Sequence, residues 1–387
     1  RQHLKRAGAG ESGIDRVHVV GAGEMGAGIA AWAALKGARV TLGDLSNDAL
    51  GAALRRAVET CEKAHLGPAA TRDALDRLMP DPRGYGTARA DLVIEAVPED
   101  PDLKHDIHAR LGREMKPDAI LATNTSSLRL TDLARAVAAP ARFAGLHFFN
   151  PVSRMQLVEV VGHDGTDPAV LDRLSAFCTE LDRLPVRVSD APGFLVNRAL
   201  MPYLIEALVL MQEGIAKETI DRAALEFGMP MGPVTLADQV GLDICLDVAH
   251  SLSRQLDKPM PEIPDRLREL VEQGHTGKKA GRGFYDWSDG PPEPGKAEGG
   301  AAPDDLTDRL ILPMCDACVE CLRRQVVRDE DDIDAAMIFA TGFAPFRGGP
   351  MRYARSLGPA AARDRLAALA EAHGERFRPD EGWRDLD

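Results

Sequence analysis

His147 stands in the run GLHFFNP, at the end of a strand-like segment and beside the turn residues Asn150-Pro151. Glu159 stands in LVEVV, an apolar strand expected to return beside it. A carboxylate among apolar neighbours needs a partner, and one bonded to an imidazole fixes its tautomer and raises its basicity. Such a pair can take the proton of an alcohol while the carbinol carbon loses hydride. The alternative is a strand-end histidine that only packs, and chain spacing does not show that the two residues meet. A second constellation is Gly21-Ala22-Gly23-Glu24-Met25-Gly26, which follows one predicted strand and opens a predicted helix. Gly21 permits a tight turn, Gly23 lets a pyrophosphate approach the backbone, and Gly26 lets the helix pack close on the strand. The helix N-terminus then presents free N–H groups to phosphates. Asp44 ends the next strand, where a carboxylate accepts from a ribose 2′-OH. Leu45 follows it rather than an arginine, so NAD is favoured over NADP.

These residues need a sheet to hold them. Apolar runs at Arg16–Gly21, Ala38–Asp44, Asp91–Val97, Ala119–Thr125 and Arg142–Phe149 alternate with helical segments. That alternation predicts a parallel sheet covered on both faces. Leu157–Val161 and Pro185–Val188 read as added strands that close the domain. After Asp190-Ala-Pro-Gly the texture becomes helical, and residues 288–303 (SDGPPEPGKAEGGAAP) read as a flexible linker. The segment beyond resembles the one before. Arg198, Pro202, Ile220-Asp221, Gly228 and Gly232-Pro233 recur as Arg309, Pro313, Ile333-Asp334, Gly342 and Gly349-Pro350, which predicts a duplicated helical domain.

With 387 residues, 44% hydrophobic and 28% charged, the chain is long enough for two to three domains. A net charge of −13 argues against binding nucleic acid or anionic membranes, while a local basic pocket for one anionic ligand stays open. No apolar run approaches the ~20 residues that span a bilayer, so a soluble chain is expected. The six cysteines form no extracellular staple pattern, and reduced thiols in a cytoplasmic setting are the default. Cys315, Cys318 and Cys321 lack a nearby fourth ligand and fall at helical spacing, so packing is favoured over a metal site. The chain opens on Arg1 rather than Met and is read as a fragment with its upstream sequence unseen.

The motifs GAGEMGAGIA, EAVPED, NTSSL, HFFNPVSRMQLVEVV, DAPGFLVNR and FGMPMGP occur in the order seen in L-3-hydroxyacyl-CoA dehydrogenases, and the chain resembles that family from about Val17 to Tyr285. The duplicated helical segment looks like the dehydrogenase portion of a multifunctional fatty-acid β-oxidation enzyme, where an enoyl-CoA hydratase domain precedes it. The resemblance implies an α/β Rossmann-type NAD-binding domain followed by two related all-α 6-phosphogluconate-dehydrogenase-like domains. The expected boundaries are 1–13 linker, 14–189 NAD domain, 190–287 first helical domain, 288–303 linker and 304–387 second helical domain. It further implies NAD-dependent oxidation of an L-3-hydroxyacyl-CoA to the 3-ketoacyl-CoA. His147 is then the base and Glu159 its partner, with Ser126 and Asn197 bonding the substrate oxygens. Glu99, Lys104, Asn150 and Lys279 match positions that contact NAD. Read without the family, Lys104 and Lys279 are solvated surface charges, and Ser126 and Asn197 are turn and cap residues. A thiolase partner and a monomeric module, in which the second helical copy replaces a dimer partner, are also expected. Two departures concern CoA. Residues 64–90 are compact where single-domain relatives carry a longer helical excursion, and Phe339 stands where multifunctional relatives place a Tyr. Two other readings remain: a gulonate-type dehydrogenase of a non-CoA hydroxy acid, and a non-catalytic NAD-binding protein.

Overall fold

The computed structural model describes residues 2–293 and 302–386, so residues 294–301 of the expected linker lie outside the described residues. The chain divides into two compact units, one ending at Phe194 and one beginning at Leu195.

The first unit opens on α1 (Gln2–Ala7), then runs β1 (Arg16–Val20), α2 (Glu24–Leu35), β2 (Arg39–Gly43), α3 (Asn47–Lys63), α4 (Pro68–Asp76) and β3 (Leu78–Pro80). It continues with β4 (Leu92–Glu95), α5 (Pro101–Glu114), β5 (Ile120–Thr123), α6 (Leu130–Leu133), β6 (Phe143–Phe148), β7 (Leu157–Gly162), α7 (Pro168–Glu180) and β8 (Leu184–Ser189). The strands form one sheet in the order β3-β2-β1-β4-β5-β6-β7-β8. All neighbours are parallel except β6 and β7. Helical crossovers cover both faces, which is why β4, β5 and β6 are buried at every residue rather than at alternate ones. Alanines 27, 30, 31, 33 and 34 let α2 lie close on the sheet, and Trp32 Nε1 donates to Leu181 O at 2.9 Å. The strand order reverses between β1 and β4. The crevice beyond their carboxyl ends is where such sheets bind ligands.

Two sequence expectations change here. Residues 1–13 are more than a linker: α1 buries Leu4 completely, and Ser12 bonds the Glu180 carboxylate at 2.8 and 2.6 Å. The edge strand β3 had no signal, because three residues ending in Pro80 are too few for a periodicity and proline suits only an edge.

The second unit holds α8 (Val196–Gln212), α9 (Lys217–Phe227), α10 (Pro233–Val240), α11 (Leu242–Gln255) and α12 (Asp265–Glu272). It then holds α13 (Leu306–Arg323), α14 (Glu330–Thr341), α15 (Pro350–Leu357) and α16 (Pro359–His373). The repeat read from the sequence has a physical basis. Asp221 on α9 accepts the N–H groups of Val234 and Thr235 at 2.7 and 3.0 Å, while Asp334 on α14 accepts those of Met351 and Arg352 at 2.7 and 3.2 Å. A buried carboxylate thus caps the following helix in both copies. A Cβ on Gly232 would sit 2.3 Å from Asp221, and one on Gly349 2.4 Å from Asp334, which explains the glycine before each Gly-Pro proline.

The two copies share one unit rather than standing as separate domains, with α8 packed along α13. Arg309 on α13 reaches Glu206 on α8 and Glu213 just after that helix at 2.6 and 2.7 Å, and Arg198 on α8 reaches Glu320 on α13. Cys315, Cys318 and Cys321 lie buried on α13, and burial pushes the Cys315 and Cys318 thiols up. Among the described residues no helix is long and apolar enough to cross a membrane.

Candidate active site

His147 and Glu159 are directly opposed in the antiparallel β6–β7 ladder, so their side chains leave the same face of the sheet. Nδ1 of His147 lies 2.7 Å from Oε2 of Glu159, with the residues 5% and 0% exposed. An ionised carboxylate only accepts, so Nδ1 carries the proton and Nε2 is left as the basic nitrogen. The Phe149 and Phe194 rings flank the imidazole at 4.5 and 5.8 Å and keep it from rotating. Water is displaced from this contact, so the carboxylate acts on the imidazole at low dielectric.

The loops at the carboxyl ends of β4, β5 and β6 are joined by side chains. Glu99 gathers the turn after β5. Its Oε1 accepts from Thr125 Oγ1 at 2.5 Å and from Ser126 N, Ser127 N and Ser127 Oγ, each at 3.0 Å. Ser126 is therefore held through its backbone by Glu99. Asn124 Oδ1 accepts from Phe148 N at 2.9 Å. Asn150 follows β6, and its Nδ2 donates to Glu24 Oε1 at 3.0 Å, which links the first residue of α2 to the His147 loop.

Lys104 departs from the reading it has without the family. It is 1% exposed, so it is no solvated surface charge. Its Nζ is already engaged by Glu95 Oε1 at 2.6 Å and Val97 O at 3.2 Å, with Glu99 at 3.5 Å. No motif in the sequence gives Glu95 a role. It is fully buried and also accepts from His108 Nε2 at 2.9 Å, Thr123 Oγ1 at 2.8 Å and Val97 N at 2.9 Å. Burial raises its pKa, but the His108 bond and the Lys104 charge outweigh it and leave the group at about 2. The available signal was a glutamate ending the apolar run LVIE, the same signal that marked Glu159.

The glycine loop fits a dinucleotide. Gly21 has φ +100°, and a Cβ there would lie 2.7 Å from Ala96 O. A Cβ on Gly26 would fall 1.8 Å from Gly21 O, so that glycine brings α2 against the turn. A Cβ on Gly23 meets nothing within 4 Å, and this open approach leads to a helix start that no side chain caps. Asp44 accepts from Ala22 N at 2.7 Å and Ser46 N at 2.8 Å, so it braces the loop from beside the ribose position. Met25 packs half-buried against the core behind the turn. Asn197 and Lys279 belong to the second unit. Asn197 is the second residue of α8, and Lys279, half-exposed, pairs with Asp243 at 2.6 Å.

A parallel sheet with its order reversed beside a Gly-x-Gly-x-x-Gly turn, and a histidine–carboxylate pair at the same strand ends, defines a dinucleotide-dependent oxidoreductase. The comparisons sharpen that class. Residues 16–191 match the model of the 3-hydroxyacyl-CoA dehydrogenase NAD binding domain, and residues 193–287 match that of the 3-hydroxyacyl-CoA dehydrogenase C-terminal domain. The chain belongs to the 3-hydroxyacyl-CoA dehydrogenase family of NAD-dependent oxidoreductases. It is 34% identical over its whole length to a fatty acid oxidation complex subunit alpha of Psychrobacter cryohalolentis, covering 56% of that protein. It thus spans about half the length of the curated relatives it matches. Its fold is similar to 3-hydroxybutyryl-CoA dehydrogenase from Escherichia coli K12 (TM-score 0.83, 29% identity, 96% of this chain and 98% of that one). It is also similar to FadB2 from M. tuberculosis (TM-score 0.69, 40% identity, 71% of this chain and 99% of that one).

Proposed function

We propose that this chain oxidises an L-3-hydroxyacyl-CoA to the 3-ketoacyl-CoA, as the dehydrogenase portion of a longer fatty-acid β-oxidation protein. The observation that carries the reading is the buried His147–Glu159 pair at 2.7 Å, set at the ligand-binding end of the sheet. NAD, when bound, supplies the acceptor for the hydride lost from C3. The glycine loop, Asp44 and the α2 N-terminus hold its phosphates and ribose, and Asn150 and Glu99 line the same crevice.

The chain's own chemical task is the proton. Nε2 of His147 takes it from the C3 hydroxyl, and Glu159 stabilises the imidazolium so formed. By resemblance to the family, the Ser126 hydroxyl and the Asn197 amide are assigned to the substrate oxygens. By the same resemblance Lys279, which pairs with Asp243, is assigned to the cofactor.

The remaining proposals concern the whole protein. The greater length of its relatives supports an upstream enoyl-CoA hydratase domain. A thiolase partner and a cytoplasmic setting go with that assignment. The packing of α8 on α13 within one chain supports a monomeric dehydrogenase module.

The test follows NADH absorbance with acetoacetyl-CoA as oxidant, beside NADPH and beside acetoacetate lacking CoA. Rapid loss with NADH and the thioester alone is expected. Equal loss with the free acid would transfer the substrate to the non-CoA hydroxy acids. NADH binding without turnover would leave a binding protein.

A further inference from the structure

Strands β5 and β6 part company early. Their parallel ladder pairs Leu121, Ala122 and Thr123 with Phe143, Ala144 and Gly145 and goes no further. Yet β6 runs on through Leu146, His147 and Phe148, paired on its other side with β7. The segment carrying the base therefore has strand support on one flank only. Asn124 fills the other flank. Its backbone N–H donates to Glu95 O at 2.8 Å, which extends the β4–β5 ladder by one residue. Its side-chain Oδ1 then accepts the N–H of Phe148 at 2.9 Å, in place of a strand carbonyl.

We propose that Asn124 is a positioning residue for His147, its amide oxygen replacing the missing β5 backbone and fixing the chain immediately after the base. Glu159 fixes the ring from β7, and Asn124 fixes the backbone from β5. Without the second anchor, the strand end can swing toward the open crevice. A displacement of ~1 Å at a reacting group costs up to about a hundredfold in rate. The hydrogen bonds of Asn124 run to Glu95 and Phe148, so its side chain acts on His147 through the Phe148 backbone.

The inference rests on the dehydrogenase reading, so its test carries one readout independent of turnover. Wild type, Asn124→Ala and Asn124→Asp are compared for kcat and KM with 3-hydroxybutyryl-CoA, for NADH affinity, for thermal midpoint and for the Nδ1 proton resonance of His147. Asn124→Ala is expected to lower kcat about ten- to a hundredfold, with NADH affinity kept and the His147 resonance shifted or lost. Asn124→Asp retains an acceptor oxygen at the same place and should recover most of both. Wild-type kcat and an unmoved resonance in Asn124→Ala would overturn the proposal, as would equal losses in Ala and Asp. If Asn124→Ala does not fold, Asn124→Leu, of similar size without the acceptor, replaces it. Failure of both to fold would overturn the proposal in favour of a purely structural role. If wild type shows no turnover, the dehydrogenase reading fails by itself, and the resonance in Ala against Asp still decides the role of Asn124.

Discussion

Glu159→Gln isolates the charge of the catalytic pair. The glutamine oxygen can still accept from Nδ1 of His147, so the ring orientation and its tautomer survive. What disappears is the negative charge beside the imidazolium that forms as the hydroxyl proton is taken. The heavy atoms are 2.7 Å apart and both residues are buried. Charge centres about 4 Å apart interact by about 4 kcal/mol at an effective dielectric of ~20. Only part of that charge has developed in the transition state, so the loss should be roughly 2–3 kcal/mol, or about 30- to 150-fold in kcat. The assay is steady-state oxidation of 3-hydroxybutyryl-CoA by NAD, with NADH affinity measured by fluorescence and the fold checked by thermal melting. NADH affinity should stay near wild type, since the pair touches none of the glycine-loop residues. A folded variant with near wild-type kcat would refute the assignment of Glu159 as the stabiliser of imidazolium.

Gly23→Ala and Gly26→Ala should separate binding from folding. The first adds a methyl to open space and should keep the melting point while weakening NADH about tenfold or more. The second drives a Cβ into Gly21 O and should lower the melting point. Glu95→Gln leaves the buried Lys104 with only the more distant Glu99 carboxylate and should destabilise by up to about 3 kcal/mol at neutral pH, read by urea unfolding. In wild type the folded Glu95 titrates at about 2, below its ordinary 4.5, so its contribution is full above pH 4.5 and falls as pH drops toward 2. Glu95→Gln should flatten that window of a stability–pH curve. His18 titrates at about 4 because burial disfavours its charged form, with Asp81 opposing. The unfolded chain takes up that proton first, so stability should fall as pH drops from 6.5 to 4 by about 3 kcal/mol. His18→Gln should remove the slope.

Much of the first unit was legible in the sequence because both chemical patterns and apolar runs are local. Each long strand announced itself, and the glycine turn carried its own helix start. The recurrence of Asp221 and Asp334 with their Gly-Pro partners was equally legible, but not the helix caps that they make. What escaped depends on register. Nothing in the spacing of His147 and Glu159 stated that they oppose one another, because the loop between strands sets that pairing. The burial of Lys104 was hidden because a lysine on α5 looks solvated until Glu95 and Glu99 are seen converging on it. Asn124 was hidden inside NTSSL, where an asparagine ordinarily makes a turn, and its bond to Phe148 joins residues 24 positions apart.

The central claim is that His147 removes the substrate proton. Its most direct test compares wild type and His147→Ala for 3-hydroxybutyryl-CoA oxidation by NAD, with NADH affinity measured on the same samples. The expected result is a loss on the order of 10²–10⁴-fold in kcat with NADH affinity nearly unchanged. Wild-type turnover in the folded variant would remove His147 from the mechanism and contradict the account.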